Sequence, residues 1–483
     1  MVEGSTHKNE AAMRWTGSVL FGYSVAAILA TGCATPFERQ LGTTAEYHAI
    51  LKTPVIAPSS EKLLQDGPDY LIGIEKGDTD VVQKLKPCAP DSPQGSLGYC
   101  LNLDAYPQDS PWRTRIARDN DHSKTLFVSH IARLDNIDHQ KIGSKRVCFL
   151  YNIYPHSDFP EATDCGRPFA AQTSRLPLGV MSGLTALEEL EQELDERLAK
   201  EPPATRPTHV LVMSTGWNTL QAESLDNYQH WTSHLKRAAR DEARPFRPLV
   251  IGISWPSEWP LISSWLGPVI SVFNKEHDAD EVGYITVNVL VHKVLNNLKR
   301  KHNVQIVVIG HSFGGRVMAT ALNSRALLFR EGASRPTATL MLGLQPAFSI
   351  QRFGDGDQGD PYRRFFQASR KYLLTSSTRD WILTFVGITN PVGSSRGLAK
   401  AKERPERFEV VSLDKEGQWQ REPSSNPCQL VVLDGSEAIS GHHDVYGAAV
   451  GRLMWEAIRS FAPASSWSAA PQSVQESPCT VGP

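Results

Sequence analysis

One segment of the chain has the residue types and spacing for nucleophilic chemistry: Gly310-His311-Ser312-Phe313-Gly314-Gly315. The pattern G-x-S-x-G is that of a nucleophile elbow, in which a serine sits on a sharp turn between a strand and a helix. A serine hydroxyl is a poor nucleophile unless a base is held beside it, and such a turn offers its oxygen to one. The flanking glycines let backbone segments approach more closely than any Cβ would allow. With this glycine content the pattern arises by chance about 0.2 times per chain, so its setting decides. Here the β-branched run Gln305–Ile309 enters the turn, and small residues from Gly315 to Ala321 leave it as a helix.

The elements around this turn follow from hydrophobic periodicity. From Thr208 onward strand and helix patterns alternate, which predicts an α/β domain with a mostly parallel sheet and crossover helices. The predicted strands are His209–Met213, Pro248–Ser254, Gln305–Ile309, Ala338–Leu344, Lys371–Thr375 and Gln429–Leu433. Leu225, Tyr228, Trp231 and Leu235 mark one helix face, and Val282, Ile285, Val289 and Leu298 a second. Asp278 with Glu281 has capping-box spacing and predicts the start of that second helix. A closing helix spans Val445–Phe461. Upstream, Thr185 and Glu188 have the same box spacing. They predict the start of a helix carrying Leu187, Leu190, Leu194 and Leu198, which Pro202-Pro203 ends. Before it, Tyr70–Ile74, Thr125–Val128 and Val147–Tyr151 are short β-rich runs among Pro, Gly and Asp clusters. The expected organisation is therefore an export signal over 1–33, a smaller β-rich region over 34–182 and a connecting helix over 183–204. The α/β domain spans 205–462, and a flexible Ser/Pro-rich tail spans 463–483.

The elbow resembles that of α/β-hydrolase lipases and esterases, and the resemblance covers about Thr208 to Phe461. More narrowly, the chain is similar to a bacterial α/β-hydrolase family of poorly defined activity. That family shows HG-aromatic-N after the first strand, a WPS turn and a late GHxD-Y segment. The matching residues here are Gly216-Trp217-Asn218, Trp255-Pro256-Ser257 and Gly441-His442-His443-Asp444-Val445-Tyr446, with Thr215 where the family usually has histidine. The resemblance implies a chain order of Ser, then Asp or Glu, then His. Only His442 and His443 follow Ser312, and the family pattern favours His442 as base. Asp380, after the strand Lys371–Thr375, is the favoured acid, with Asp414 and Asp434 as alternatives. Asp444 is expected to cap the last helix. The oxyanion donors are expected to be the backbone N–H groups of Phe313 and Trp217. The apolar run from Trp255 to Phe273, with Trp255, Trp259 and Trp265, is expected either to form an acyl pocket or lid or to pack as core or against a membrane. The implied activity is cleavage of an ester-type acyl bond through an acyl-enzyme on Ser312. The rivals are acyl transfer to another acceptor, and an inactive binding or structural protein on the same fold.

Composition bounds the rest. Over 483 residues the formal net charge is -2, and basic residues are interspersed with acids, so nothing points to nucleic acid. His230-Trp231-Thr232-Ser233-His234 lacks the glutamate of HExxH, no cysteine pair has CxxC spacing, and no glycine fingerprint for phosphates occurs. No metal or cofactor is implied. Lys8 and Arg14 precede the uncharged stretch Trp15 to Gly32, an export pattern. Leu29-Ala30-Thr31-Gly32-Cys33 looks like a bacterial lipobox, which makes Cys33 the expected lipidation site. The alternatives are an uncleaved membrane anchor and a buried helix. The expected location is the bacterial cell envelope, at the outer membrane if the source is Gram-negative, with a small-molecule or lipid ester as substrate. Apart from Cys33 six cysteines remain: Cys88, Cys100, Cys148, Cys165, Cys428 and Cys479. An even number suits disulfides in an oxidising compartment. Proximity favours Cys88–Cys100 and Cys148–Cys165, leaving Cys428–Cys479.

Overall fold

The computed structural model describes residues 66–79, 82–89, 99–134, 148–153, 163–165, 179–216, 219, 221–240, 245–257, 267–329, 339–353, 362, 370–385, 388–424 and 430–464. All of them belong to one compact unit, Glu46–Pro483. The expected signal, Cys33 and the tail beyond 464 lie outside the described residues.

The strands in chain order are β1 (Tyr70–Asp78), β2 (Lys124–Arg133), β3 (Cys148–Asn152), β4 (Thr163–Asp164), β5 (His209–Ser214) and β6 (Pro248–Ser254). They continue with β7 (Gln305–His311), β8 (Thr339–Leu344), β9 (Arg370–Ser376), β10 (Phe408–Ser412) and β11 (Leu430–Asp434). The principal helices are α1 (Pro111–Asp121), α2 (Val180–Lys200), α3 (Gln221–Ala239), α4 (from Gly267), α5 (Phe313–Asn323), α6 (Ser395–Lys402) and α7 (Ala448–Phe461). All eleven strands form one sheet, ordered β10-β11-β9-β8-β7-β5-β6-β1-β2-β3-β4. From β10 across to β1 the pairings are parallel. β2 then runs antiparallel to both β1 and β3.

Side chains of the central strands alternate between two cores. On β7, Ile306 and Val308 enter one apolar cluster while Val307 and Ile309 enter the other. On β5, Val210 and Val212 are separated in the same way from Leu211 and Met213. This is the period of two that a strand covered on both faces requires. Leu187, Leu190, Leu194 and Leu198 of α2 are fully buried, each contributing about 1.5–3 kcal/mol. Tyr228, Trp231 and Leu235 of α3 pack on the opposite face with Leu453 and Trp455 of α7.

The described strands of the β-rich region over 34–182 belong to the central sheet, and three expected helix starts need correction. β1 pairs in parallel with β6, from Tyr70 opposite Ile251 to Gly73 opposite Ser254, so its strands extend the central sheet. α1 also lies within this stretch. α2 begins at Val180, where Gly179 N–H donates to Ser182 Oγ and Ser182 Oγ donates to Gly179 O; Thr185 lies inside the helix and donates to Met181 O. Asp278 caps nothing. α4 runs Gly267–Val282 and continues through two π-helical stretches, Gly283–Val287 and Leu290–Leu295, to Asn296–His302. The N-cap of α7 is Gly447, and Asp444 sits in a preceding single turn, Asp444–Tyr446. The edge strand β10 was not predicted.

Asp278 and Glu281 are instead buried inside the helix. Asp278 accepts from Lys76 Nζ at 2.7 Å and Lys275 Nζ at 3.1 Å. Glu281 Oε1 accepts from Thr125 Oγ1 and Leu126 N–H, both at 2.9 Å. Burial pushes the Glu281 carboxyl up from 4.5 to about 7, helped by the Asp278 charge. Between those values the unfolded chain releases a proton that the folded protein keeps, so this group costs stability as pH rises through the window. Glu281→Gln is therefore expected to raise the melting temperature relative to wild type at pH 8 and not at pH 5. Equal differences at both pH values would refute the assignment.

The bonds Cys88–Cys100 and Cys148–Cys165 are formed. The second joins the start of β3 to the residue after β4, closing the end of the sheet. The Cys428–Cys479 pair lies outside the described residues. Loops with sequence separations of 12 and 17 stabilise by about 3 kcal/mol each in the chain-entropy account. A reductant is expected to lower the melting temperature by several degrees, and an unchanged value would count against both bonds.

Candidate active site

The chain lays β6 to one side of β5 and then crosses to place β7 on the other. Open parallel sheets bind ligands at such a reversal, beyond the C-terminal ends of the strands. Ser312 stands there, between the end of β7 and the first residue of α5. Its backbone lies at φ 53°, ψ −123°, a region sterically unfavourable for a residue with a side chain. Two neighbours hold it: Ser312 N–H donates to Leu344 O at 3.1 Å, and Ala347 N–H donates to Ser312 O at 2.9 Å. The glycines do what the motif demands. A Cβ on Gly310 would stand 2.4 Å from Gly314 O, and one on Gly314 would stand 2.1 Å from Ser214 O.

Asp380 and His442 are brought together across 62 residues of chain. His442 Nδ1 and Asp380 Oδ2 are 2.6 Å apart, and both groups are buried. The other carboxylate oxygen, Oδ1, accepts Leu383 N–H at 3.2 Å. Ser377 Oγ donates to Ile439 O at 2.8 Å and so ties the loop of Asp380 to the loop of His442. The alternatives are engaged elsewhere. Asp414 accepts from Glu416 N–H and Gln418 N–H in an exposed turn. Asp434 accepts from Ser436 and pairs with Lys402. His443 is exposed.

His311, adjacent to Ser312, is buried with its ring centroid 4.6 Å from that of His442. Its Nε2 lies 3.0 Å from His442 O, and its Nδ1 lies 3.0 Å from Tyr446 Oη. A carbonyl only accepts, so Nε2 carries the proton and the Tyr446 hydroxyl donates to Nδ1. Burial holds this imidazole well below its ordinary value, which keeps it neutral. Tyr446 in turn stacks on Trp231 at 5.3 Å, and Trp231 Nε1 donates to Val445 O at 3.0 Å. Among the described residues Ser312 Oγ makes no hydrogen bond to His442; such contacts commonly tighten only when substrate is bound.

Phe313 is the first helical residue of α5, where no earlier carbonyl of the helix can take its N–H. Trp217 lies outside the described residues, as do Trp259 and Trp265. The ends of the Trp217 loop are described. A Cβ on Gly216 would stand 2.6 Å from Ser312 Cβ, so the backbone at Gly216 lies against Ser312. Thr219 N–H donates to Ser257 Oγ at 3.1 Å, and Ser257 Oγ donates to Thr219 O at 3.0 Å. Trp255 is buried in the core with Nε1 donating to Thr215 O at 3.4 Å. Of the two expected placements for this residue, Trp255 takes the packed one, bracing the backbone at Thr215. Lys275, fully buried, donates to Pro256 O at 2.7 Å and fixes the same turn to α4. Sequence reasoning missed Lys275 and also Gln345, which follows β8 beside Asp380 and His442; no motif marks either position. Among the described residues no group of three or more His, Cys, Asp or Glu side chains is placed to hold a metal ion.

No family model and no curated protein matches the chain. Among solved structures it is similar to the catalytic core domain of acetyl xylan esterase from Trichoderma reesei, at 12% identity and TM-score 0.23 over 53% of this chain and 98% of that one. It is also similar to a cutinase-like protein from Cryptococcus sp., at 12% identity and TM-score 0.20 over 54% and 93%. A third is Trichoderma reesei cutinase in complex with a C11Y4 phosphonate inhibitor, at 15% identity and TM-score 0.16 over 38% and 71%. Likenesses at these scores carry no weight for individual residues, whose placement rests on the contacts above.

Ser257→Ala removes both the acceptor of Thr219 N–H and a donor to its carbonyl. Loss of a buried partner costs about 1–3 kcal/mol, so thermal unfolding should begin several degrees lower. An unchanged melting temperature would show that Ser257 does not brace this loop.

Proposed function

We propose that the chain is a serine hydrolase that cleaves carboxylic esters through an acyl-enzyme on Ser312. The observation that carries this reading is the buried His442–Asp380 hydrogen bond of 2.6 Å at the strand ends where Ser312 is held at positive φ. With Nδ1–H bonded to Asp380, the free lone pair of His442 is on Nε2, the atom that takes the Ser312 proton as Oγ attacks the ester carbonyl. Asp380 fixes that tautomer and stabilises the imidazolium that forms. The N–H groups of Phe313 and Trp217 receive the oxyanion. Collapse expels the alcohol, which leaves with the proton from His442, and water repeats the sequence to free the acid.

The expected setting is outside the cytoplasm. Two disulfides suit an oxidising compartment, and lipidation at Cys33 would tether the protein to a membrane surface, near lipid or small-molecule esters. No helix among the described residues is long and apolar enough to cross a membrane.

A fluorophosphonate probe should label the wild type and leave Ser312→Ala unlabelled, and the wild type should hydrolyse p-nitrophenyl esters with a preferred chain length. Asp380→Asn should lower kcat by about 10⁴-fold through the wrong histidine tautomer. Full hydrolysis by Ser312→Ala would overturn the proposal.

A further inference from the structure

The turn after β8 touches each of the three groups named above. Leu344 O and Ala347 N–H hold the backbone of Ser312 from either side. Between them Gln345 is fully buried, and its backbone stands at φ 45°. A glycine would adopt this conformation at no steric cost, whereas a glutamine there costs on the order of 1 kcal/mol or more. The strain is held in place. Gln345 N–H donates to Thr375 Oγ1 at 2.8 Å, and Gly393 packs so closely that a Cβ on it would stand 2.5 Å from the Gln345 carbonyl carbon.

This backbone sends the side-chain amide to Asp380 and His442. With its nitrogen turned towards their oxygens, it donates to Asp380 Oδ2 and to His442 O, each at 3.3 Å. Both partners are acceptors only, so the opposite orientation would set three oxygens against one another. Asp380 Oδ2 is the same oxygen that accepts His442 Nδ1, and His442 O is the carbonyl that also accepts from His311. One primary amide, with two N–H groups at a fixed angle, therefore bridges the acid to the backbone of the base.

We propose that Gln345 is a positioning residue for the reaction, setting the His442 imidazole and the Asp380 carboxylate in register with Ser312 through its two amide hydrogens. The inference rests on the reading of Ser312, His442 and Asp380 as the working triad. A glutamine that only filled space would be replaced without loss by a side chain of like volume. A positioning amide would not, because about 1 Å of misplacement costs on the order of a hundredfold in rate.

The test compares Gln345→Met and Gln345→Glu with wild type in ester hydrolysis, read as kcat and KM between pH 6 and 9. Methionine keeps the length and removes both donors; kcat should fall about tenfold to a hundredfold with KM within twofold of wild type. Glutamate faces Asp380 and His442, with the rings of His311 and His443 beyond the latter. As a neutral acid it supplies one donor, and as an anion it supplies none and repels Asp380. Its activity relative to wild type should therefore decline as pH rises. Wild-type kcat in the Met variant, or a constant ratio across pH in the Glu variant, would overturn the proposal. Should Met disturb folding, the Glu variant, matched in shape to Gln, decides alone. A readout independent of turnover separates this idea from the proposed function. The His442 Nδ1 proton shared with Asp380 should resonate far downfield in wild type and move in Gln345→Met. If wild type neither turns over ester nor takes the fluorophosphonate, the hydrolase reading fails while the NMR comparison still judges the amide bridge; an unmoved signal overturns it.

Discussion

Holding one serine in an unfavourable backbone conformation, where a strand meets a helix, is the constraint that organises this molecule. Such a residue costs on the order of 1–3 kcal/mol and persists only when its surroundings over-determine it. At Ser312 they do so from three directions. β8 and the turn after it grip the peptide groups on both sides. Gly310 and Gly314 let β7, α5 and the end of β5 close to contact distances that no other residue would permit. α5 is in turn locked to α4 by buried charge.

That lock is unusual in its arrangement. Arg316, four residues after Ser312, forms a two-point contact with Asp280 at 2.9 and 2.8 Å. Arg115 and Arg352 converge on the same carboxylate, and Thr320 of α5 also donates to it. Burial alone would raise the Asp280 carboxyl, but the three guanidinium groups hold it well below the usual range. Buried ion pairs often add little net stability compared with apolar packing, yet losing one partner typically costs about 3–5 kcal/mol. Such a cluster tolerates few geometries, so it fixes α5, whose first residue, Phe313, follows Ser312 directly. Gly283, in the first π-helical stretch of α4, permits the close crossing: a Cβ there would stand 2.7 Å from Val317 O.

Much of this could be read from the amino acids. The elbow announced itself because local sterics force glycine at defined offsets from Ser312. The strands β5 to β9 and β11 were legible because a sheet covered on both faces demands unbroken apolar runs, and the two short-range disulfides followed from proximity. Elsewhere the determinants are long-range. β10 is an edge strand whose short FEVVS run carries only weak periodicity. Asp278 and Glu281 imitate a helix start in sequence, and only burial against Lys76, Lys275 and Thr125 shows that they lie inside α4. Trp255 has the composition of a pocket wall, but its indole N–H is spent on Thr215 O. Gln345 has no local signature at all, because its partners are about 35 and 97 positions away along the chain.

The pairing of β1 with β6 has a consequence for how the chain reaches its final form. Tyr70 meets Ile251 across some 180 residues, so β1, the first strand among the described residues, has no neighbour on one side until β6 exists. Contacts of such separation make folding slow, because loop closure must precede any gain from pairing. For that interval the flank of β1 that will pair with β6, with its row of unspent N–H and C=O groups, is a template for the wrong partner. Once formed, β1 to β4 cover the margin of β6 in the sheet that carries Ser312, Asp380 and His442. A chain beginning at β5 would carry every candidate catalytic residue and still present a raw sheet margin to its neighbours.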